Sequence, residues 1–365
     1  MGTERKSAYT MRATRLLGAT GVAAAACLLL TGTASAVAPA DGNQDVLAAA
    51  GSDTIFNITT AIFANANSAT WNTDVDNYVN VPPGAASFDV PGDGNTAAFT
   101  LAPTPNGSSA GKTALKNSAD AGDGRIDIAR SSSPRGTSDP STFEYYGFAL
   151  DGVAWSSSAT GSGANLTLSL TQLRDIYRGT ITNWNQVGGA DAAIKLYLPQ
   201  VGSGTLSFFT STVLGFDPAT ISGLTINRFQ ENDGSSIPEA NRATAIAPYS
   251  DAQWVAQGNG VETDKRAGFT VNKLTGAGSD GDQVTGTEGN YAPAFADTYL
   301  GSRVVYHVLD NRTPAYDQAK RAVGFDEGDD ASTASPLCGG QLAGLITQYG
   351  FKTLTGDNGL SCTLS

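Results

Sequence analysis

The sequence predicts an α/β chain folded as two lobes, each a mainly parallel sheet flanked by helices, and three observations carry that expectation. Short β-like apolar runs alternate with helix-like ones along the chain. Behind an N-terminal leader 329 residues remain, more than one ordinary hydrophobic core holds. Two apolar strand-like stretches, near residues 146 and 300, are placed to carry the chain into a second lobe and back. The expected boundaries are therefore 1–36 for the leader, 37–145 plus 301–365 for the first lobe and 146–300 for the second.

The leader has the three parts of a secretory signal: a basic start at Arg5, Lys6, Arg12 and Arg15, an apolar run from Leu16 to Leu30, and the cleavage pattern Ala34-Ser35-Ala36. Cys27 lies inside the run but lacks the bulky residue that a lipid-anchor signal carries three positions earlier, which favours free secretion. Export makes a disulfide between the two remaining cysteines, Cys338 and Cys362, the natural expectation. Removing the leader takes four basic residues and Glu4, leaving 18 basic against 33 acidic residues and a net charge of −15. Such a surface does not seek nucleic acid or an anionic membrane, and no later apolar run reaches the length of about 20 residues that spans a bilayer.

The elements follow in order. "DVLAAAGSDTIFNITTAIF" starts as a strand, breaks at Gly51-Ser52-Asp53, and continues with Ile55, Ile58, Ile62 and Phe63 at helical spacing. Residues 71–106, rich in Pro, Gly and Asn, read as an irregular insertion. A helix is expected around Ala110–Ser118, a turn at Gly122-Asp123-Gly124, a strand at Arg125–Arg130 and a serine-rich loop at Ser131–Ser133. "EYYGFALDGVAWSSS" is a long strand; "LSLTQLRDIYRG" is a capped helix ending at Gly179. "AIKLYLP" leads into "GSGTLSFFTSTVLG", where Leu206, Phe209 and Val213 form the buried stripe of a helix. Residues 275–290 read as a surface loop, "SRVVYHVLDN" as a returning strand and "GGQLAGLITQYGF" as a last helix.

Three of these joints share one design. Gly51-Ser52-Asp53-Thr54, Gly107-Ser108-Ser109-Ala110-Gly111 and Gly202-Ser203-Gly204-Thr205 each open a helix with small hydroxyl residues. A helix start offers free backbone N–H groups and the positive end of the dipole, glycine admits an anion close to the backbone, and hydroxyls add uncharged donors. Each one alone is also what an ordinary capped helix looks like. Three together, with the Ser131–Ser133 loop, point to a compact oxyanion held by hydrogen bonds.

Catalytic alternatives are thinner. His307 is the only histidine, it lies in an alternating strand, and the G-x-S-x-G pattern is absent, so a secreted phosphatase-like hydrolase rests on one residue. One histidine and two cysteines expected to pair leave little for zinc. No cofactor and no metal are expected.

The ordered set of motifs resembles the phosphate-binding proteins of the phosphate ABC transporter, of type II periplasmic-binding architecture. "GSDTIF", "GSSAGKTALKN", "RIDIARSSSP", "LSLTQLRDIYRGTITNWNQ" and "VGSGTLSFFTS" carry the resemblance in order across most of the chain. It implies a two-lobe clamp, acting as a monomer, that closes on inorganic phosphate, with sulfate as a possible second ligand, and delivers it to an ABC permease. It implies ligand contacts from Asp53 or Thr54, from Ser108, and from Ser203, Gly204 and Thr205; Ser52, Ser109, Ser131, Ser132 and Gly202, in the same loops, complete the expected ligand set. The family's aspartate in the third loop is Ser132 here, and its arginine and aspartate before Gly-Ser-Gly-Thr are Pro199 and Val201. Arg130, with Arg135 second, is the expected replacement for the missing positive charge. Asp53 is the candidate for the lost acceptor. A binding module that has lost transport is the remaining alternative.

Overall fold

Three parallel strands, an antiparallel pair and three more parallel strands make one continuous path of hydrogen bonds through the protein. The computed structural model describes residues 45–66, 75–92, 97–278, 281–325, 335–356 and 361–365; the expected leader 1–36, with Cys27, lies outside them. In chain order the elements are β1 (Asp45–Gly51), α1 (Phe56–Ala66), β2 (Val75–Asn80), β3 (Phe88–Val90), β4 (Phe99–Leu101), α2 (Ser108–Ala121), β5 (Ile128–Ser131), β6 (Phe143–Ser158), β7 (Leu168–Ser169) and α3 (Leu170–Tyr177). There follow β8 (Lys195–Pro199), α4 (Gly204–Phe208), β9 (Asn227–Phe229), α5 (Glu239–Arg242), β10 (Ala245–Ser250), α6 (Asp251–Gly258), β11 (Phe269–Asn272), β12 (Leu274–Thr275), β13 (Val284–Thr285), β14 (Ala292–Pro293), β15 (Ser302–Asp310), α7 (Tyr316–Ala322), α8 (Ala343–Gln348), β16 (Lys352–Thr353) and β17 (Thr363–Leu364).

The sheet order is β2-β1-β5-β15-β6-β10-β8-β9. β1 runs parallel to β2 and β5, and β8 runs parallel to β9 and β10. Between the two parallel groups stand β15 and β6, antiparallel to each other from Ser302↔Gly152 to Asp310↔Phe143. The expected mainly parallel arrangement is thus present on both flanks, and the two long strands that join the flanks make the sheet mixed. One set of buried apolar clusters, around Leu47, Ile128, Phe148 and Val308, draws on residues before 150 and after 304, with Ala252 as the exception. The other clusters, around Trp155, Trp184, Phe209 and Tyr249, draw on residues 153–299.

Local chemistry explains the elements that flank the site. α3 opens with a capping box in which the Ser169 hydroxyl accepts from Gln172 N and the Gln172 side chain accepts from Ser169 N. α2 ends at Gly122 in the left-handed region, φ 63°. Helical backbone continues beyond α4 as π-helical turns over Phe209–Leu214 and stops at Gly215, φ 78°. The wider π turn rotates the stripe, so Phe208, Phe209, Val213 and Leu214 are buried and Leu206 only half so.

Two stretches differ from expectation. Within 71–106 the structure sets an edge strand, β2, and the β3–β4 ribbon; half-buried Asn77 and Asn80 on that edge weaken the apolar pattern that would mark a strand. Within 275–290, Val284–Thr285 pairs with Ala292–Pro293 as a short ribbon. Cys338 and Cys362 are joined by a disulfide, S–S 2.02 Å.

Candidate functional site

The first helix start depends on glycine. Gly51, at φ 125°, sits where a Cβ would lie 2.6 Å from Arg130 O, so the bend from β1 to α1 excludes side chains. That bend brings Ser52 to the third loop, where its hydroxyl donates to Ser132 Oγ at 3.0 Å. The Ser132 backbone N–H donates to Ser108 Oγ at 3.0 Å, and the two hydroxyls are 3.4 Å apart. Three of the expected loops therefore meet hydroxyl to hydroxyl, all fully buried.

The fourth arrives from the other flank of the sheet. Ser203 caps α4, its hydroxyl accepting from Leu206 N at 3.0 Å. Gly204 follows so close to Ser108 Oγ and Ser132 Oγ that a Cβ there would collide with both. Gly107, φ 94°, packs against the Gly202 carbonyl in the same way, and Ser109 N donates to Gly202 O at 3.0 Å. The starts of α2 and α4 are thus joined backbone to backbone.

The cation at this junction is Arg303, at the start of β15. Its guanidinium donates to Ser132 O at 2.8 Å, to Thr205 Oγ1 at 2.8 Å, and to Asp151 Oδ2 at 2.7 Å and 3.1 Å. Asp151 is buried and also accepts from Ser250 Oγ and Ala252 N. A pair removed from water survives only with its remaining lone pairs and protons satisfied, as here. Sequence reasoning missed Arg303, though a lone arginine in "SRVVYHVLD" and a lone aspartate in "FALDGVAW" each signal a buried charge in need of a partner.

The residues around Asp53 carry the opposite charge. Glu231, in the loop after β9, accepts at Oε1 from Thr205 N at 3.0 Å and Thr54 Oγ1 at 3.2 Å. Asp53 faces Glu231, and its carboxyl is held well above the usual carboxylate range, by burial first and by Glu231 next. No described donor reaches Asp53 Oδ1 or Glu231 Oε2. An amide chain closes this side: Gln230 Nε2 donates to Asp53 Oδ2 at 3.1 Å, Asn106 Nδ2 to Gln230 Oε1 at 3.1 Å and Gln200 Nε2 to Asn106 Oδ1 at 3.2 Å. Glu231 and these amides were also missed; their partners lie far away in sequence and no local pattern marks them.

The model of the PBP superfamily domain matches residues 83–325, two thirds of the chain. The chain belongs to the PBP superfamily. Among solved structures it is similar to a Clostridium perfringens protein described as a phosphate ABC transporter substrate-binding protein, solved with bound phosphate: 17% identity, 85% of this chain and 100% of that chain covered, TM-score 0.55. An ABC-type phosphate transport receptor from Vibrio cholerae matches at 20% identity over 84% of this chain and 100% of that one, TM-score 0.49. No curated protein matches the chain. The fold is that of the type II periplasmic-binding proteins.

Within this PBP-superfamily chain several expected residues sit apart from the hydroxyl cluster. Arg130 spends all its N–H groups elsewhere: on Ser52 O at 3.0 Å, Ala49 O at 2.8 Å, Val81 O at 2.9 Å, Gly51 O at 3.4 Å and the Asn80 side chain. Burial pulls its guanidinium down to about 9, with Asp53 opposing, so it stays a cation at neutral pH. The expectation that it supplies the ligand's positive charge is corrected: it braces the backbone behind Ser52, and Arg303 is the cation at the cluster. Arg135 likewise binds Pro140 O and Phe143 O. Ser131 turns its hydroxyl to Ser133 O at 2.8 Å. Ser109 is exposed and lines a cavity of about 290 Å³ with Lys112, Lys116, Ser133 and Ser207. Val201 is 80% exposed, and Pro199 offers its carbonyl to Arg228 at 2.9 Å.

His307 is buried against Phe148, rings 4.6 Å apart and 11° from parallel, with Nε2 3.0 Å from Thr59 Oγ1. Burial, and then Arg130, lower it to about 3. It bonds a threonine of α1 and no described serine of the cluster, so it is not placed as a general base for those hydroxyls. Among the described residues no group of three or more His, Cys, Asp or Glu is placed to hold a metal ion, and no helix is long and apolar enough to cross a membrane.

Proposed function

We propose that this chain is an exported solute-binding protein that captures a small oxyanion, inorganic phosphate first, between two lobes and hands it to an ABC-type permease. The lobes are residues 37–145 with 301–365, and 146–300, hinged across β6 and β15, and residues 1–36 are the export leader. The observation that carries the reading is the convergence of Ser52, Ser108 and Ser132 on the start of α4 at Gly204-Thr205, with Arg303 as the adjacent cation. Uncharged donors, helix-start N–H groups and one buried guanidinium suit a compact oxyanion. Opening of the hinge frees hydroxyls that bond one another in the closed arrangement, and the anion replaces those bonds.

Ser132 offers a hydroxyl, which donates to an oxyanion whether or not the anion carries a proton. Phosphate and sulfate are therefore both ligands of the open cleft, phosphate first. Equilibrium dialysis of residues 37–365 with labelled phosphate, run beside an assay of p-nitrophenyl phosphate hydrolysis, tests this. Saturable binding of one anion per chain without turnover is the expected result; turnover, or no retention of phosphate at any concentration up to millimolar, overturns it.

A further inference from the structure

The start of α4 is engaged by the protein's own carboxylate. Glu231, 2% exposed, brings one oxygen to two donors, Thr205 N–H and the Thr54 hydroxyl. These donors come from opposite sides of the cleft, Thr54 after β1 and Thr205 after β8, and they are what an oxyanion would use. The helical run behind Thr205, α4 with its π continuation, extends over residues 204–214, long enough to present a dipole.

Two further observations point to a ligand position rather than a plain cap. Ser203 already caps this helix, so Glu231 adds a second acceptor at the same end. Its other oxygen is buried with no donor and faces Asp53, whose Oδ1 also lacks one. The loop is built to hold the carboxylate there: Glu231 N donates to Gln200 Oε1 at 2.7 Å, and Asn232 at φ 57° sends Nδ2 to Thr54 Oγ1 at 3.1 Å and accepts from Ser250 N at 3.1 Å.

We propose that the Glu231 carboxylate is a tethered occupant of the oxyanion site, bridging the two sides of the cleft until an incoming anion displaces it. The proposal rests on the oxyanion reading and adds a specificity rule to it. A tethered carboxylate competes at high effective concentration. Monoanions of similar charge density, such as acetate, do not outcompete it, whereas a compact dianion such as hydrogen phosphate does.

The test compares wild type, Glu231→Gln and Glu262→Gln by calorimetric titration with phosphate and with acetate. Glu262 is the control: a nearby carboxyl that bonds Asn57 and Gln253 and makes no bond to α4. The expected result is phosphate binding at least tenfold tighter in Glu231→Gln, less than threefold changed in Glu262→Gln, and acetate binding detectable only in Glu231→Gln. In a second readout, hydrogen exchange at the Thr205 amide of Glu231→Ala speeds up at least tenfold and slows again when phosphate is added. Phosphate binding by wild type with equal or weaker binding by Glu231→Gln overturns displacement alone. Binding by none of the three proteins overturns displacement together with the oxyanion reading. An unchanged Thr205 exchange rate overturns the tether.

Discussion

Arg303 and Asp151 stand directly opposite each other on β15 and β6 and form an ion pair, Nη2 to Oδ2 2.7 Å, with side chains 1% and 0% exposed. The two strands that join the halves of the sheet thus carry the site's organising charges at their crossing. Through the same guanidinium the pair reaches Ser132 O on one side and Thr205 Oγ1 on the other. Removing one partner strands the other as a buried charge, so Arg303→Met is expected to cost about 3–5 kcal/mol in urea unfolding and to abolish phosphate binding. Adding Asp151→Asn, which keeps acceptors for Ser250 and Ala252, is expected to recover more than half the stability and none of the binding. Recovery of binding in the double variant would show that Arg303 acts only as a structural brace.

Gly204→Ala puts a methyl group against the hydroxyls of Ser108 and Ser132. The overpacking is expected to cost about 1–3 kcal/mol and falls on the packing of α4 against the two serines. Phosphate affinity in calorimetry should drop at least tenfold while the far-ultraviolet spectrum stays unchanged; full affinity would mean that α4 does not approach the serines so closely when the ligand is bound.

Burial raises the Glu262 carboxyl from 4.5 to about 7, with Asn57 and Gln253 partly opposing. The native state holds this proton where the unfolded chain has released it, so the penalty grows as pH rises from about 4.5 to about 7 and persists above. Glu262→Gln is therefore expected to gain about 1–3 kcal/mol at pH 8 and nothing at pH 4, read from melting temperatures across that range.

His307 has the opposite sign. Its native value of about 3 lies below the ordinary 6.5, so the unfolded chain takes up a proton first and stability falls as pH drops from about 6.5 toward 3. His307→Phe, stacked on Phe148, should flatten that acid limb and leave phosphate affinity within twofold. A loss of binding would return the histidine to the site.

The Cys338–Cys362 disulfide spans a sequence separation of 24 and ties the residue before β17 to the segment before α8, while β17 itself pairs with β6, Thr363 with Gly147 and Leu364 with Tyr146. Chain-entropy loss for such a loop is worth about 3.5 kcal/mol. Reduction, or Cys338→Ala with Cys362→Ala, should lower the melting temperature by several degrees and raise hydrogen exchange in Tyr146 and Gly147.

What the sequence discloses is whatever is local. The helix starts at Ser52, Ser108 and Ser203 were legible because glycine bends, hydroxyl caps and apolar periodicity occupy a few adjacent residues, and the disulfide because two cysteines remain after the leader. Arg130 adjoins the serine loop in sequence, yet its guanidinium runs to the carbonyls of Ala49, Gly51, Ser52 and Val81, partners at distant positions that no local pattern marks. Arg303 and Glu231 were not legible as site residues, since Asp151 and Thr54, which they bond, lie 152 and 177 positions away and only the sheet register and the approach of the loop after β9 bring them together. Arg303 and Asp151 were nevertheless findable as lone charges in apolar strands.

The most direct test of the whole account is isothermal titration of residues 37–365, stripped of bound anion by unfolding and refolding, with phosphate and sulfate at two pH values. The account predicts one phosphate per chain, weaker sulfate binding, and loss of both in the Ser108→Ala/Ser132→Ala variant. Absence of heat with either anion, or binding that survives loss of both serines, would contradict it and reduce the three helix starts to caps.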